Sequence, residues 1–181
     1  MQLVDDQRVG VFIDGANLHA SVRAVGFDID FKRLLRLFRE NSRLVRATYF
    51  AAIEDEGDHQ RVRPLMDWLA YNGFAIVTKR LRVYIDEAGG RRVRGDIGVE
   101  LTVVAMGLAR HLDHIVLFSG DGDLRYLAAA LQQMGKCVSV VSTLGTHPIM
   151  VADELRRQAD HFVDLAELKP LIERKPDLAV R

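Results

Sequence analysis

The segment from residue 114 to residue 131 constrains the fold more than any other part of the chain. Residues 114–118 (HIVLF) form an apolar, branched run that is typical of a strand buried on both faces. The turn 119–123 (SGDGD) follows, and apolar residues then recur at helical spacing up to Leu131. A buried strand that turns directly into a helix is a unit of an α/β sheet, and ligands bind where such turns meet. The sequence therefore predicts that Asp121 and Asp123 lie at a ligand-binding edge.

A third acid follows the first apolar strand. Residues 9–13 (VGVFI) lead into Asp14, and a helix is expected to begin at Asn17. If the two strands are neighbours, Asp14, Asp121 and Asp123 converge. Clustered carboxylates repel one another unless a cation or protons neutralise them, and hard oxygen ligands favour Mg²⁺ or Mn²⁺. The pattern indicates phosphoryl-transfer or phosphodiester chemistry. The alternative is that Asp121, Asp123 and Asn17 merely cap helices.

Strands alternate with helices along the chain, which predicts a three-layer α/β fold with a mainly parallel, doubly wound sheet. A strand order of about 3-2-1-4-5 places the first and fourth strands side by side. We expect one domain over residues 1–170 and a frayed tail over 171–181. The expected strands are 8–14, 44–53, 74–77, 114–118, 137–142 and 162–165, and the expected helices are 17–25, 31–38, 62–73, 97–110, 123–134, 150–159 and 166–173.

The basic residues of the chain are concentrated in one stretch. The 181 residues carry a formal net charge of zero, which excludes a global electrostatic signal for nucleic acid. Alternating residues on either side of a glycine-containing turn predict a β-hairpin over 79–94. It is either a solvated edge whose charges discourage aggregation or an arm that holds RNA phosphates, with Tyr84 available for stacking. Its basic residues are Lys79, Arg80, Arg82, Arg91, Arg92 and Arg94.

Other features narrow the class of protein. The single cysteine excludes an intramolecular disulfide and fits a reducing compartment, and we find neither a signal peptide nor an apolar stretch long enough to span a membrane. We therefore expect a cytoplasmic protein. No Ser-His-Asp or Cys-His arrangement indicates covalent hydrolase chemistry. The very apolar helix at 97–110 belongs either to the core, which we favour, or to the face of a homodimer.

The two acidic motifs resemble those of a known family. Residues 12–17 (FIDGAN) resemble the F-I-D-G-x-N opening of NYN domains, and residues 119–123 resemble their S-G-D-x-D segment. The resemblance covers most of residues 8–165, in the LabA-like subgroup of this PIN-like superfamily. It implies a divalent-metal-dependent ribonuclease fold. By this resemblance the three acids hold the metal ion or its water, and Asn17 and Ser119 orient the acids or the substrate phosphate.

One segment departs from the pattern of that subgroup. In residues 94–104 (RGDIGVELTVV), Gly98 and Val104 occupy positions where the family carries acids. The resemblance implies that the acid at 98 completes the metal site, and glycine cannot be a ligand. Asp96 or Glu100 could substitute, because they lie one helical turn apart. Alternatively, Asp96 caps the helix and Glu100 is merely solvated, which leaves the site weakened.

Three functional hypotheses follow. The first is a ribonuclease that uses Mg²⁺ or Mn²⁺ to hydrolyse single-stranded or structured RNA. The second is a catalytically reduced NYN module that binds RNA or a protein partner. The third is a phosphatase-like enzyme for a small phosphate ester, which would use the same acids but would not need the basic hairpin.

Overall fold

The structure is a computed structural model that describes residues 6–53, 56–86 and 90–175. Six parallel strands form one sheet in the order β3-β2-β1-β6-β7-β8, and β4 and β5 form a separate antiparallel pair. The predicted three-layer, doubly wound architecture is confirmed. The strands are β1 Arg8–Asp14, β2 Arg43–Ile53, β3 Ala75–Arg80, β4 Arg82–Ile85, β5 Arg91–Arg94, β6 His114–Phe118, β7 Cys137–Ser142 and β8 His161–Asp164. The helices are α1 Gly15–Val25, α2 Phe31–Asn41, α3 Glu56–Tyr71, α4 Gly98–Leu108, α5 Arg125–Gln133, α6 Asp153–Gln158 and α7 Leu165–Ile172.

The two central strands carry the acidic turns. β1 and β6 are apolar and buried on both faces, as expected for the middle of a parallel sheet. Their register pairs Val9 with His114 and continues to Ile13 opposite Phe118. Asp14, the last residue of β1, and Ser119, the residue after β6, directly follow this last pair. The switch from one winding direction to the other therefore falls between the two motifs.

Two apolar cores hold the three layers together. On one side of the sheet, α1, α2, α3 and α7 pack against Val11, Ile13 and Tyr49. On the other side, α4, α5 and α6 pack against Phe12, Phe50 and neighbouring residues. Successive residues of β1 thus enter opposite cores, which follows from the two-residue period of a strand. A one-residue slip of β1 would exchange the two cores and is strongly opposed.

The structure moves several predicted boundaries. α1 begins at Gly15 and is capped by Asp14, so the helix does not begin at Asn17. The third strand extends to Arg80, so Lys79 and Arg80 belong to the main sheet and not to the hairpin. α7 ends at the fully buried Ile172, and Glu173 pairs with Ile29 through a β-bridge. Packing therefore continues beyond residue 170; the remainder of the expected tail, 176–181, lies outside the described residues.

The apolar helix α4 is only half buried. Leu101 and Ala105 are fully buried in the second core, whereas Val99 and Val103 are both 65% exposed. The preference for a core helix therefore holds for one face of α4, and the opposite face presents apolar side chains outward. No helix within the described ranges is long and apolar enough to cross a membrane.

Candidate functional site

Asp14 occupies the point where β1 becomes α1. Its backbone is extended, and its Oδ1 accepts a hydrogen bond from the Asn17 backbone N–H at 3.1 Å, which caps the helix. The carboxyl group is largely buried. Burial raises the pKa of Asp14, the hydrogen bonds from Asn17 and Ser119 oppose the shift, and the nearby Asp121 carboxylate adds to it. Burial therefore disfavours the charged form of this carboxyl group.

Ser119 connects the two acidic motifs. It is fully buried at the end of β6, and its hydroxyl donates to Asp14 Oδ2 at 3.3 Å. The Ser119 Oγ atom also accepts a hydrogen bond from the Asp121 backbone N–H at 3.2 Å. Asn17 adds a second connection, because its Oδ1 accepts the Gly120 backbone N–H at 3.0 Å. Asn17 and Ser119 thus join the end of β1 to the turn after β6, and their orienting roles stay a prediction.

Asp121 begins a single 3-10 turn that leads into α5. Its Oδ1 accepts the Asp123 backbone N–H at 3.0 Å. Gly120 is required before it, since a Cβ atom at that position would overlap the Met150 carbonyl oxygen. Asp123 itself is exposed at the rim. Asp14 and Asp121 therefore form the centre of the site, and Asp123 lies at its periphery.

Gly98 lies directly beside this centre. A Cβ atom built on Gly98 would be 4.0 Å from Asp121 Oδ2, and 3.1 Å from Asp96 Oδ1. An aspartate at 98 would therefore project its carboxylate at Asp121, as the family pattern implies. Val104 is different: it lies six residues, or about 9 Å, further along α4 and packs against the second core. An acid at position 104 would enter apolar surroundings.

The two candidate substitutes for the missing acid are already engaged. Asp96 accepts the Gly98 backbone N–H at 2.7 Å, and it lines a pocket of about 270 Å³ together with Asp123. Glu100 forms an ion pair with Lys79 at 2.9 Å, in which both side chains are about 30% exposed (27% and 31%). Asp96 thus lies on the side of the acidic site, and Glu100 lies on the side of β3.

The donor set can be compared with the needs of a divalent ion. Among residues 6–53, 56–86 and 90–175, no three His, Cys, Asp or Glu side chains are gathered closely enough to hold a metal ion. Mg²⁺, however, is commonly bound through one or two carboxylates, with water and substrate phosphate completing its octahedron. The pair Asp14 and Asp121 fits that pattern, since the two acids are close enough for the Asp121 charge to contribute to the raised pKa of Asp14.

The basic hairpin extends from the same edge of the molecule. Arg82 and Tyr84 are exposed on β4, and the register places Arg94 opposite Arg82 and Arg92 opposite Tyr84. Arg92 also pairs with Asp86 at 2.8 Å. Lys79 forms an ion pair with Glu100 and so links β3 to α4. An RNA phosphate would have to compete with Glu100 for this ammonium group. The hairpin proper is therefore smaller than the basic stretch predicted from the sequence.

One site feature was missed by the sequence analysis. A pocket of about 310 Å³ adjoins Asp14, and His19 and Tyr49 are among its lining residues. His19 carries no motif, and Tyr49 comes from a strand that bears no acid. The one sequence signal for His19 is its spacing. It lies five residues after Asp14, just over one helical turn into α1, and could therefore have been expected near the same edge of the sheet as Asp14.

Comparison with known proteins agrees with this architecture. The chain is 33% identical over 171 residues to the low amplitude and bright protein LabA of Synechococcus elongatus, covering 92% of this chain and 88% of that one. A crystal structure of a protein of unknown function from Vibrio parahaemolyticus superposes with a TM-score of 0.69 at 26% identity, covering 91% of this chain and 96% of that one. The model of the NYN domain matches residues 8–167. The chain belongs to the NYN domain family, which comprises PIN-like nucleases.

Proposed function

We propose that this protein is a divalent-metal-dependent ribonuclease that hydrolyses RNA phosphodiesters at the site formed by Asp14 and Asp121. The observation that carries the proposal is the hydroxyl of Ser119, which donates to the Asp14 carboxylate and accepts the Asp121 backbone N–H, and so joins the two acidic turns at the switch point of the sheet. Ligands of open α/β sheets bind at this point. Membership of a nuclease-like family supports the same conclusion.

Each residue of the site has a distinct task in this chemistry. Mg²⁺ or Mn²⁺, when bound, would activate water and stabilise charge on the phosphate. Asp14 and Asp121 would hold the ion, and Asp123 at the rim would hold its water. Asn17 would fix the Gly120 backbone, and Ser119 would orient the Asp14 carboxylate and hold the Asp121 backbone N–H. Arg82, Arg91, Arg92 and Arg94 of the hairpin would bind RNA phosphates and position the substrate.

Gly98 makes the acidic site incomplete relative to the family pattern. Asp96 is the better placed substitute, since its Oδ1 is 3.1 Å from the position of a Cβ at 98, while Glu100 is paired with Lys79. Asp96 would have to rotate away from the Gly98 backbone N–H to serve as a ligand. We therefore expect the ribonuclease to be slow, because displacement of a catalytic group by about 1 Å can cost about two orders of magnitude in rate.

The same observation favours a second candidate. If Asp96 stays on the Gly98 backbone, only two carboxylates remain, and the domain would bind RNA or a protein partner without efficient cleavage. A cytoplasmic location and a homodimer through the exposed face of α4 stay predictions from the sequence.

The deciding experiment is cleavage of a mixed pool of single-stranded and structured RNA. We expect cutting with Mn²⁺ or Mg²⁺, none with EDTA, and a loss of at least about a hundredfold in Asp121→Asn. The matched control is Asp67→Asn, which removes an exposed carboxylate on α3 that pairs with Arg63. If the unmutated protein retains RNA without cutting it under any metal condition, the ribonuclease proposal fails and the binding module replaces it.

A further inference from the structure

A pocket beside the acidic site has no role in the function described so far. Its volume is about 310 Å³, at the lower end of the range for small-ligand sites. Its floor and walls come from α1, β2, α3 and the residue after β3. The lining residues that matter here are Gly15, Ala16, His19, Tyr49, Val62 and Leu81.

The pocket lies between the acids and the basic hairpin. Gly15 and Ala16 directly follow Asp14, so one wall continues from the candidate metal site. Leu81 directly precedes β4, and its backbone N–H is anchored on the Ile53 carbonyl at 2.8 Å. A chain of nucleotides that runs from the acids to the hairpin arginines must therefore pass the mouth of this pocket.

The walls have the chemistry of a nucleobase site. His19 and Tyr49 meet edge to face with ring centroids 6.4 Å apart, and His19 also meets Phe31 at 6.3 Å. These contacts fix the ring before a ligand arrives. Burial lowers the pKa of His19, so the imidazole is neutral at physiological pH and offers one N–H and one lone pair. The remaining walls are apolar, as is usual where a flat ring is enclosed.

We infer that this pocket accepts one unstacked base of single-stranded RNA, next to the phosphate held at Asp14 and Asp121. The inference rests on the proposed function, and it adds a base-binding subsite to it. A base within an A-form duplex is stacked and paired, so it cannot enter a pocket of this kind, whereas bases of loops and single strands are readily splayed onto aromatic side chains. The pocket therefore takes a base from a single strand and none from a perfect duplex.

The test fills the pocket and measures RNA binding in EDTA, where cleavage is suppressed. Val62→Trp places an indole in the pocket from α3. Val45→Trp is the matched control, since it makes the same change at an exposed residue near the start of β2, away from the pocket residues Ala51 and Ala52 at the end of that strand. The probes are a labelled single-stranded RNA of mixed sequence and the same strand in a perfect duplex. Far-UV circular dichroism and thermal unfolding confirm that both variants fold.

We expect Val62→Trp to weaken single-strand binding about tenfold, which is the range for loss of one base stacked on an aromatic side chain. Duplex binding should stay within about twofold, and Val45→Trp should leave the binding of both probes unaffected. His19→Leu is a second variant that keeps apolar volume and removes the ring. It should weaken single-strand binding by a similar factor even if Val62→Trp fails to fold.

The outcomes separate this inference from the ribonuclease proposal. If the protein cuts RNA but Val62→Trp and His19→Leu bind single strands as well as Val45→Trp does, the pocket holds no base and the inference is overturned. If the protein never cuts RNA but the two pocket variants lose single-strand binding selectively, the pocket stands and the ribonuclease fails. Equal binding of duplex and single strand by the unmutated protein would also overturn the inference that the pocket accepts a base.

Discussion

The acidic edge and the basic hairpin differ in how tightly their side chains are held. At the acidic edge, Asp14, Ser119 and Asn17 are buried or half-buried and hydrogen-bonded to one another's segments. In the hairpin, every residue of β4 is exposed, and the exposed Arg92 side chain of β5 pairs with Asp86. The difference matches the two tasks that we propose, because chemistry needs fixed geometry whereas phosphate binding tolerates mobile side chains.

The hairpin also has little support from the rest of the structure. Ile85 is 74% exposed, and within the described residues β4 and β5 form a sheet of their own. A two-stranded sheet alone is marginally stable in water. The arm therefore depends on contacts other than strand pairing with the main sheet.

The largest effect is expected from completing the acidic edge. Gly98→Asp places a carboxylate beside Asp121 Oδ2, and the exposed Asp96 can move the few tenths of an ångström that the new Cβ requires. We expect metal-dependent cleavage to rise about ten- to a hundredfold. Gly107→Asp is the control, since it makes the same change on an exposed, uncrowded turn of α4. An unchanged rate for Gly98→Asp would show that Asp96 already serves as the ligand.

A smaller effect is expected from the hairpin. Replacing Arg91, Arg92 and Arg94 together by glutamine should weaken RNA binding about tenfold and reduce the salt slope by about 2, because three phosphate contacts to a single strand are lost. Replacing Arg23, Arg36 and Arg39, exposed residues of α1 and α2, removes the same charge elsewhere. If both triple variants bind RNA alike, the hairpin is only a solvated edge, and a phosphatase-like activity on small esters becomes the better reading.

The smallest effect concerns stability. The pKa of Asp14 is raised by burial, so its folded-state value lies above its unfolded value. Folding therefore favours the protonated form of Asp14 over the charged form. The stability that results is fully present below the unfolded pKa and is lost as pH rises through the folded pKa. Asp14→Asn should consequently stabilise the protein at neutral pH, by about 1 kcal/mol, as is common when a functional site is relaxed. Denaturant unfolding at about pH 7 and about pH 4 measures this gain, which should shrink at the lower pH.

Asp113→Asn provides a control of opposite sign. The Arg8 guanidinium and backbone N–H hold the pKa of Asp113 below its usual range. Its stabilisation is present above the unfolded pKa and is lost as pH falls through the folded pKa. Asp113→Asn should therefore be slightly less stable than the unmutated protein at neutral pH. Destabilisation by Asp14→Asn as well would show that the acidic edge is not strained by charge.

The sequence alone determined the architecture and the centre of the site. Buried strands followed by helices specify a doubly wound sheet, and the strand order confirmed in the structure brings Asp14 beside Ser119 and Asp121. These features depend on the period and polarity of local segments, which are written directly in the residues. The unusual glycine at 98 was also visible, and the structure places it so that a Cβ atom built there would be 4.0 Å from Asp121 Oδ2.

Tertiary structure alone decided which charged residues remain available. Lys79 and Glu100 are 21 residues apart in the chain and form an ion pair, which removes one from the basic arm and the other from the acidic site. The pocket formed by His19, Tyr49 and Val62 likewise combines residues from three elements. Neither could be predicted, because a side-chain partner is fixed by the packing of distant elements and not by the period of any one segment.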